Sequence, residues 1–433
     1  MMERYREYKE SGVKWLGEIP SHWEVVPIKY ISEVSSGATP KTSVQGYWDG
    51  NITWVTPADF KTDTKFVLKS NRNITTLGLK SCSTVILPKG SLVFSKRAPI
   101  GQVSILKKTL CTNQGCFGII PKESMNNSFL YYSLAIHAKS FNTLGSGTTF
   151  RELSFSAFSS YKISVPPKAE QDSIVRYLDS ATSEIDKAIA MQQKMIDLLN
   201  ERKQIIIQNA VTKGLDENVE MKESGVEWIG RIPKHWEVVR LSHLTSKIGS
   251  GSTPKAGYVE SGIIFLRSQN VYCEGLKLND VVHISANVHR NMSGTKVLPN
   301  DVLMNITGGS IGRCFYVDET LGEANVNQHV SIIRPTSIDT HYLKYYLQSY
   351  CGQIQVSLEQ TGGNREGLTA KALAKFLITY PSQSEQKEIA AYLDGEMEKF
   401  DSAITNCQRQ ITLLQERKQI IINEVVTGKV RVI

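Results

Sequence analysis

The sequence has few cysteines, and none of them is spaced for metal binding. Seven cysteines occur among 433 residues, an odd number, and no two form a CxxC pair. This usage argues against a disulfide framework or a zinc knuckle and favours a reducing compartment. No stretch approaches the roughly 20 apolar residues that a helix needs to span a bilayer. The charged opening residues MMERYREYKESG also lack the apolar core of a secretory signal, so a cytoplasmic protein without membrane contact is expected.

Catalytic motifs are the second absence. Residues 248–255, IGSGSTPK, have the glycines of a phosphate-binding loop, but Pro254 stands where that motif needs a glycine before the lysine. The eight histidines occur singly, and none belongs to an HExxH pair of zinc ligands. Neither an NPPY-type motif nor a glycine-rich cofactor motif is present. We therefore expect a binding protein with no catalysis, metal or cofactor of its own.

Neither charge sign is in large excess. Fifty Lys and Arg stand against 42 Asp and Glu, which gives a formal net charge of +8. This mild positive excess is compatible with nucleic acid but does not establish it. With 433 residues, of which 41% are hydrophobic, the chain has room for two or three folded domains.

Two segments occur twice in the chain. Residues 10–28 read ESGVKWLGEIPSHWEVVPI and residues 223–241 read ESGVEWIGRIPKHWEVVRL, with 13 of 19 positions identical. Residues 199–207, LNERKQIII, return at 414–422 as LQERKQIII. The offsets are 213 and 215 residues, so both ends of one unit recur together. The chain is therefore two tandem copies of one domain plan, which suits a ligand with two similar sites at a fixed separation.

Between the repeated segments, each copy has short runs of β-branched and aromatic residues separated by Gly, Pro and Asn. Such runs are typical of strands in a compact α/β or β-rich domain. The predicted strands are 51–55, 83–87, 91–94 and 118–120 in the first copy, and 263–266, 302–304, 314–317 and 330–333 in the second.

Each copy ends in a predicted long helix. Residues 171–209 contain no Gly or Pro, and their apolar side chains recur at alternating steps of four and three, a heptad pattern. The second helix is predicted from 385 to about 426. At about 1.5 Å per residue each would be on the order of 55 Å long, so its apolar seam needs a long partner, and the other long helix is the obvious one. The two helices could pair parallel or antiparallel, and the duplicated plan with a pseudo-twofold axis favours antiparallel pairing. The predicted seam residues are Ile174, Leu178, Ile185, Met195, Leu199 and Ile206 in the first helix, and Ile389, Leu393, Phe400, Leu414 and Ile421 in the second.

The globular middles, 29–162 and 242–376, differ strongly while the segments around them stay similar. A protein that recognises two different sequences with one common scaffold would have this pattern. The alternative is that exposed domains simply tolerate change faster. The Gly-rich loops at 145–153 and 362–368 are likewise open to two interpretations, a DNA contact or a plain turn before a helix.

Both middles carry side chains that suit DNA. Lys and Arg can neutralise phosphates, and Arg, Asn and Gln match the hydrogen-bonding edges of bases. Any one of them could instead be an ordinary solvated charge, and the paired Asn-Gln sites could serve the strand backbone. The candidates are Lys41, Lys61, Lys65, Lys96, Arg97, Asn113, Gln114, Thr148 and Arg151 in the first copy, and Lys255, Arg267, Gln269, Asn270, Arg313, Asn327, Gln328, Arg365 and Lys371 in the second.

Taken together, these motifs resemble the specificity subunits of type I restriction–modification systems. The resemblance rests on the paired HWE segments, the dissimilar middles, the ERKQIII tails and the start of each long helix, and it spans essentially the whole chain. The first helix is preceded by Pro166-Pro167 and begins with Glu170-Gln171, Ile174 and Leu178-Asp179. The second has Glu385-Gln386, Ile389 and Leu393-Asp394, but Pro381-Ser382 replaces the double proline.

The resemblance implies an α+β protein with a pseudo-twofold tandem duplication: two α/β target recognition domains and two long helices forming an antiparallel intramolecular coiled coil. The implied boundaries are 1–165 for the first recognition domain, 166–213 for the first spacer helix, 214–380 for the second recognition domain and 381–433 for the second spacer helix. Each recognition domain would read one half of a split double-stranded DNA site. The helices would set the gap and dock the modification subunits.

The implied partners are DNA, modification subunits and restriction subunits, and S-adenosylmethionine and ATP with Mg²⁺ are expected on those partner subunits. The principal alternative is a coiled-coil adaptor whose end domains bind proteins. It explains the repeat and the helices but gives no reason for dissimilar middles rich in Arg, Asn and Gln. An autonomous methyltransferase or nuclease is opposed by the missing motifs.

Overall fold

The computed structural model describes residues 3–60, 64–67, 69–97, 99–146, 151–360 and 367–432. The chain divides into two compact units, Met1–Gln192 with Arg409–Ile433, and Gln193–Gln408. Three of the predicted DNA-binding residues, Lys61, Thr148 and Arg365, lie outside the described residues.

The first unit is built on a five-stranded sheet. Its strand order is Ser32–Ser36, Cys116–Pro121, Leu92–Ser95, Val103–Leu106 and Phe66–Val67, with only the last pair parallel. The rings of Phe94, Phe117, Phe141 and Phe158 pack together at its core. The other strands are Tyr8–Glu10, Glu18–Pro20, Glu24–Pro27, Trp48–Val55, Asn73–Ile74, Cys111–Thr112 and Lys162–Val165; the α-helices are Ile28–Ile31, Thr76–Lys80, Asn127–Ile136, Ala138–Leu144 and Phe155–Ser159, and the 3-10 helices are Gln45–Tyr47 and Pro57–Asp59.

The second unit repeats this plan on a four-stranded antiparallel sheet. Its strand order is Thr245–Ser250, Val330–Pro335, Val302–Asn305 and Cys314–Tyr316. A separate five-stranded sheet has the order Tyr258–Val259, Val282–Ile284, Ile263–Leu266, Ala324–Val326 and Lys296–Val297. The other strands are Met221–Glu223, Arg231–Pro233, Glu237–Arg240 and Leu377–Tyr380; the α-helices are Leu241–Leu244, Ala286–Asn291, Thr340–Gln348, Tyr350–Glu359 and Ala370–Leu373, and the 3-10 helices are Ser268–Asn270, Ser293–Thr295 and Gly308–Ser310.

All predicted strands except one are confirmed to within three residues at each end. The strand predicted at 83–87 is wrong. There, Thr84 donates its hydroxyl to the backbone oxygen of Thr112 at 2.7 Å, and only Leu87 forms a backbone bridge, with Leu110. Val85 and Ile86 are exposed, and Pro88, which has no N–H to donate, follows at once. β-branched residues alone therefore do not make a strand here, because Leu87 is the one residue of this run whose backbone pairs with a neighbouring segment as in a strand.

The predicted long helices are confirmed and are longer than expected. They span Lys168–Lys213, 46 residues, and Gln383–Val426, 44 residues. At about 1.5 Å per residue each helix is on the order of 65–70 Å long. No helix among the described residues is both long and apolar enough to cross a membrane.

The buried seam of the first long helix follows eleven-residue steps, not heptads. Ile174, Ile185, Ile196 and Ile207 stand eleven residues apart, and all four are buried. Met195, which the heptad pattern places in the seam, is 49% exposed, whereas the adjacent Ile196 is 7% exposed. A straight α-helix drifts about 20° per heptad, whereas an eleven-residue repeat of about 3.67 residues per turn drifts more slowly per residue and in the opposite direction. The drift explains why the heptad prediction fails towards the middle of the helix.

The second long helix has the same spacing. Ile389, Phe400, Ile411 and Ile422 stand eleven residues apart; the first and last are buried and the two between are half-buried. Of the remaining predicted seam residues, Leu178 and Leu393 are buried. Leu199, Ile206, Leu414 and Ile421 are half-buried.

Within each unit the two helices run antiparallel. In the first unit the Lys418 ammonium lies 2.6 Å from the carboxylate of Asp186. In the second unit Lys203 lies 2.5 Å from Asp401. In both pairs the residue numbers add to 604, so one number rises as the other falls. The predicted antiparallel pairing is confirmed.

In the first unit the repeated HW pair is fixed to the start of the long helix. Trp23 donates its indole N–H to Glu170 at 3.2 Å, and Tyr5 donates its hydroxyl to the same carboxylate oxygen at 2.6 Å. The His22 Nε2 atom lies 2.8 Å from the other carboxylate oxygen. Because Glu170 lies in the first turn of the helix, these contacts fix the opening segment of the unit to the start of the helix.

The second unit repeats the contact with Glu385. Trp236 donates to its carboxylate at 3.2 Å, and His235 Nε2 lies 2.7 Å from the same oxygen. Burial acts to raise the pKa of Glu385, but the hydrogen bonds from His235, Ser382 and Trp236 outweigh it and lower the pKa to about 2. The opening segment and the helix start are thus repeated in the sequence because they are two halves of one contact.

Candidate nucleic-acid interface

Two loops meet at the same end of the sheet in each unit. We call residues 37–41 and 251–255, which read GATPK and GSTPK, the TPK loops; residues 113–115 and 327–329 are the NQ turns. In the first unit Gly37 donates its N–H to Cys116 at 3.1 Å, and in the second Gly251 donates to Val330 at 3.0 Å. Each TPK loop therefore leaves the sheet beside the strand that follows its NQ turn.

Glycine is required at the start of each TPK loop. A Cβ on Gly37 would lie 2.1 Å from the backbone oxygen of Asn113, and a Cβ on Gly251 would lie 2.0 Å from the backbone oxygen of Val326. Both distances are far inside van der Waals contact, and the atoms met are backbone, which cannot swing away. The close approach of loop to turn is therefore built into both copies.

The asparagines hold the NQ turns. The Asn113 side-chain oxygen accepts the N–H of Gly115 at 2.9 Å, and that of Asn327 accepts the N–H of His329 at 3.1 Å. Asn113 donates its own N–H to Val55 at 2.9 Å, as Asn327 does to Leu266 at 3.0 Å. Asparagine favours such turns because its side chain can bond the backbone two residues on. The backbone role raised from the sequence is thus observed for both asparagines.

The glutamines connect the turns to the loops. Thr39 donates its hydroxyl to the side-chain oxygen of Gln114, and Thr253 makes the same hydrogen bond to Gln328. Gln114 and Gln328 are both exposed. With its oxygen occupied, each glutamine has its amide N–H groups left as donors. The amide nitrogen of Gln328 lies 3.3 Å from Nε2 of His329.

The residues beside the two NQ turns share a backbone position but differ in chemistry. Lys96 donates its N–H to Gly115 at 2.9 Å, and Ile306 donates to His329 at 2.9 Å. The following residues are Arg97 in the first unit and Thr307 in the second. The Thr307 hydroxyl lies 2.5 Å from His329 Nδ1. Thr307 and His329 are absent from the sequence candidates because only the strand pairing brings them together.

In the first unit the charged candidates divide between two places. The Lys96 ammonium lies 2.8 Å and the Arg97 guanidinium 3.9 Å from the carboxylate of Glu152, the residue that follows Arg151. These residues therefore lie together around the NQ turn. Lys65 stands at the other edge of the sheet, where its ammonium lies 2.5 Å from Asp179 on the long helix. Its side chain is only 17% exposed. The structure therefore does not bring Lys65 to the TPK loop.

In the second unit, three candidates form the helical turn at Ser268–Asn270 and its cap. Asn270 is 1% exposed and donates to the backbone oxygen of Lys277 at 2.9 Å. Gln269 donates to the Asp280 carboxylate at 3.3 Å, and the guanidinium of Arg267 donates to the Asp280 backbone oxygen at 3.4 Å. Asn270 thus holds this turn, while the side chains of Arg267 and Gln269 both bond Asp280.

The last two candidates in the second unit are exposed. Arg313 lies over the ring of Tyr272, 5.2 Å from its centre. Lys371 lies in the short helix Ala370–Leu373 and is exposed to solvent. Within the described ranges, no group of three or more His, Cys, Asp and Glu side chains is arranged to hold a metal ion.

Comparison with known proteins identifies the family. The family model for the type I restriction modification DNA specificity domain matches twice, at residues 20–194 and 233–415. The chain is 28% identical to the type I restriction enzyme MjaIX specificity subunit of Methanocaldococcus jannaschii, over 98% of this chain and 97% of that protein. It is 23% identical to the EcoBI specificity subunit of Escherichia coli, over 92% of this chain and 86% of that protein.

Solved structures share the fold. A chain of a type I R-M system matches with a TM-score of 0.72 and 16% identity, over 94% of this chain and 98% of that one. The HsdS subunit of Thermoanaerobacter tengcongensis matches with a TM-score of 0.51 and 17% identity, over 95% and 98% of the two chains. The resemblance stated from the repeated motifs is confirmed. Because the two family matches together cover well over half of its residues, this chain belongs to the type I restriction modification DNA specificity domain family.

Proposed function

We propose that this chain is the non-catalytic recognition subunit of a type I restriction–modification complex, in which the globular middle of each unit reads one half of a split DNA site. One observation carries the proposal: both units build the same TPK loop and NQ turn, but place different side chains beside them. Two domains that recognise different DNA sequences require this combination of the same loop and turn with different side chains beside them.

The side chains near the NQ turns suit direct reading of bases. Arg97 has a planar guanidinium that can donate two hydrogen bonds to guanine, and it is held only loosely, 3.9 Å from Glu152. Thr307 and His329 in the second unit offer a hydroxyl and an imidazole in its place. These groups differ in size and in donor pattern, so the two units would select different bases.

The long helices supply a surface for the modification subunits. In the second unit Met195, Leu198 and Ile205 are each 49% exposed, and their spacing of three and seven residues puts them on one helix face. Exposed apolar residues gathered on one face are typical of an interaction surface. In this proposal the modification subunits bring S-adenosylmethionine, the restriction subunits bring ATP and Mg²⁺, and the helices set the gap between the half-sites.

Methylation mapping in cells tests the proposal. The chain is expressed with the products of its neighbouring genes, and methylated positions are sequenced on genomic DNA with and without it. We expect a split, asymmetric motif that appears only when this chain is present. Stable partner subunits without sequence-specific methylation would contradict the proposal and favour the coiled-coil adaptor, which offers no reason for one frame with different neighbours.

A further inference from the structure

We propose that the TPK loop of each unit binds a DNA phosphate, independently of the bases that the unit reads. This inference rests on the proposed DNA recognition and assigns separate roles within that surface. The TPK loop with Lys41 or Lys255 would fix the position of the duplex. The differing residues beside the NQ turn would select the sequence.

Two different half-sites have their phosphate backbones in common. Base edges change from one half-site to the other, but the phosphates are the same everywhere. The globular middles differ strongly, yet GATPK and GSTPK keep glycine, threonine, proline and lysine at the same places. A feature kept in both readers is therefore suited to the part of DNA that both readers meet.

Each TPK loop is held in place at its lysine end by an aromatic side chain. Trp48 donates its indole N–H to the backbone oxygen of Lys41 at 3.3 Å. In the second unit the Tyr258 hydroxyl donates to the backbone oxygen of Pro254, one residue before Lys255, at 3.4 Å. An aromatic side chain from the segment that follows thus holds each loop at its end. Proline adds rigidity because its ring fixes the backbone angle φ.

The lysine side chains themselves are uncommitted. Lys41 and Lys255 are exposed, and within the described part of the chain neither ammonium has an ion-pair or hydrogen-bond partner. Glu152, which lies beside the NQ turn of the first unit, already bonds Lys96. A free ammonium on a rigid loop can approach a phosphate without first breaking an internal contact.

Further donors surround the loop of the first unit. The amide N–H groups of Gln114 are left as donors, because Thr39 occupies its oxygen. The guanidinium of Arg72 lies 3.9 Å from the ring centre of Trp48, the residue that holds Lys41. A phosphate at the loop would therefore meet positive charge and neutral donors together, the usual chemistry of backbone contacts to DNA.

The experiment measures DNA binding of the assembled complex across a salt series. Wild type is compared with Lys41→Gln, Lys255→Gln and the double variant, on a duplex carrying the methylated motif and on a scrambled duplex. Removal of one lysine–phosphate ion pair should make the slope of log K against log salt shallower by about 0.9. We expect this change on both duplexes, with the preference for the motif unchanged.

Two controls separate charge from fold and position. Lys41→Arg keeps the charge and should retain the wild-type slope. Lys89 is an exposed lysine that precedes the strand Leu92–Ser95, whereas the residues beside the NQ turn follow that strand. Lys89→Gln should therefore change neither the salt slope nor the preference for the motif.

Each of three other outcomes would contradict one part of the proposal. If wild type prefers its motif and the double variant has the wild-type slope and affinity, the phosphate role is wrong while DNA recognition stands. If Lys41→Gln alters which sequence is preferred, Lys41 reads a base and the division of roles fails. If wild type shows no preference for any motif, the proposed function itself fails.

Discussion

The hydroxyl of Thr39 donates a hydrogen bond to the side-chain oxygen of Gln114. The two residues are 75 apart in sequence, and the same hydrogen bond recurs at the same separation between Thr253 and Gln328. Each of these hydrogen bonds connects a TPK loop, which follows one strand, to an NQ turn, which precedes the neighbouring strand. Since the surrounding middles differ strongly, this contact is part of the frame that both recognition surfaces share.

The first prediction concerns the glycine that allows this contact. Gly37→Ala places a Cβ 2.1 Å from a backbone oxygen, so the loop must move away from the NQ turn. We expect a loss of about 1–3 kcal/mol in the free energy of unfolding, the usual cost of forcing atoms into a packed site. Urea unfolding followed by tryptophan fluorescence measures the loss.

The matched control for this prediction is Gly46→Ala. A Cβ on Gly46 meets nothing within 4 Å, although Gly46 lies in the same unit only nine residues further on. Equal stability of Gly37→Ala and Gly46→Ala would show that the loop can shift at no cost and that the close approach is not required.

The second prediction concerns pH and the carboxylate that anchors the second unit. The pKa of Glu385 is lowered to about 2 in the folded chain, against about 4.3 for an unfolded glutamate. A carboxyl with a depressed folded pKa adds stability above its unfolded pKa and loses it as pH falls towards the folded value. The stability that Glu385 supplies should therefore be complete at pH 7 and disappear between about pH 4.3 and 2.

Glu385→Gln removes that charge while keeping the shape of the side chain. Because the carboxylate is partly exposed, we expect a cost of about 1–2 kcal/mol at pH 7, less than a full conversion of the shift. The cost should shrink as pH approaches 2. Glu388→Gln changes an exposed glutamate of the same helix and should have little effect at any pH. A pH-independent cost at Glu385 would rule out the charge as its source.

The third prediction separates the eleven-residue seam from a heptad seam. Ile196→Ala removes a buried side chain, so it should cost about 2–4 kcal/mol in the free energy of unfolding. Met195→Ala, one residue earlier on an exposed face, should cost under about 1 kcal/mol. Thermal unfolding of both variants tests the order. A larger loss at Met195 than at Ile196 would restore the heptad interpretation.

The sequence predicts the frame of this protein well. The repeat, the long helices and nearly all of the strands follow from local patterns of apolar residues, such as 263–266, which matches the strand Ile263–Leu266. The buried seam of the long helices is less well predicted. Alternating steps of four and three select the same positions as eleven-residue steps over one or two helical turns, and the two patterns select different positions only after several turns. Leu178 satisfies both patterns, and Met195 satisfies only the wrong one.

The candidate site is predicted less completely than the frame. Lys65 is a candidate by charge alone, and its use by Asp179 depends on a helix more than a hundred residues away. Thr307 and His329 meet only because the strands Val302–Asn305 and Val330–Pro335 are paired. Long-range pairing of strand ends leaves no local signal. The repeat does leave one, since Thr39 and Thr253 stand in matching TPK sequences.

The last prediction tests whether the long helices set the gap between half-sites. Residues 184–194 and 410–420 are matched in the antiparallel register, in which paired numbers add to 604. Deleting both stretches removes eleven residues from each helix and keeps the seam in phase, since Ile196 then takes the place of Ile185 and Ile422 that of Ile411. The deletion also leaves the exposed Met195, Leu198 and Ile205 in the chain. We expect both half-sites to be kept and the gap to shorten by up to about 5 base pairs, because eleven residues rise about 16 Å and DNA about 3.4 Å per base pair.

Methylation mapping with the shortened chain measures the gap directly. A control that deletes only five residues from each helix rotates the following face by about 140°, so that chain should not assemble. An eleven-residue deletion that methylates the original motif with its original gap would show that the helices do not act as the spacer. A changed half-site would instead show that the deletion disturbed the recognition surface. A shorter gap between unchanged half-sites is the result that only a spacer role predicts.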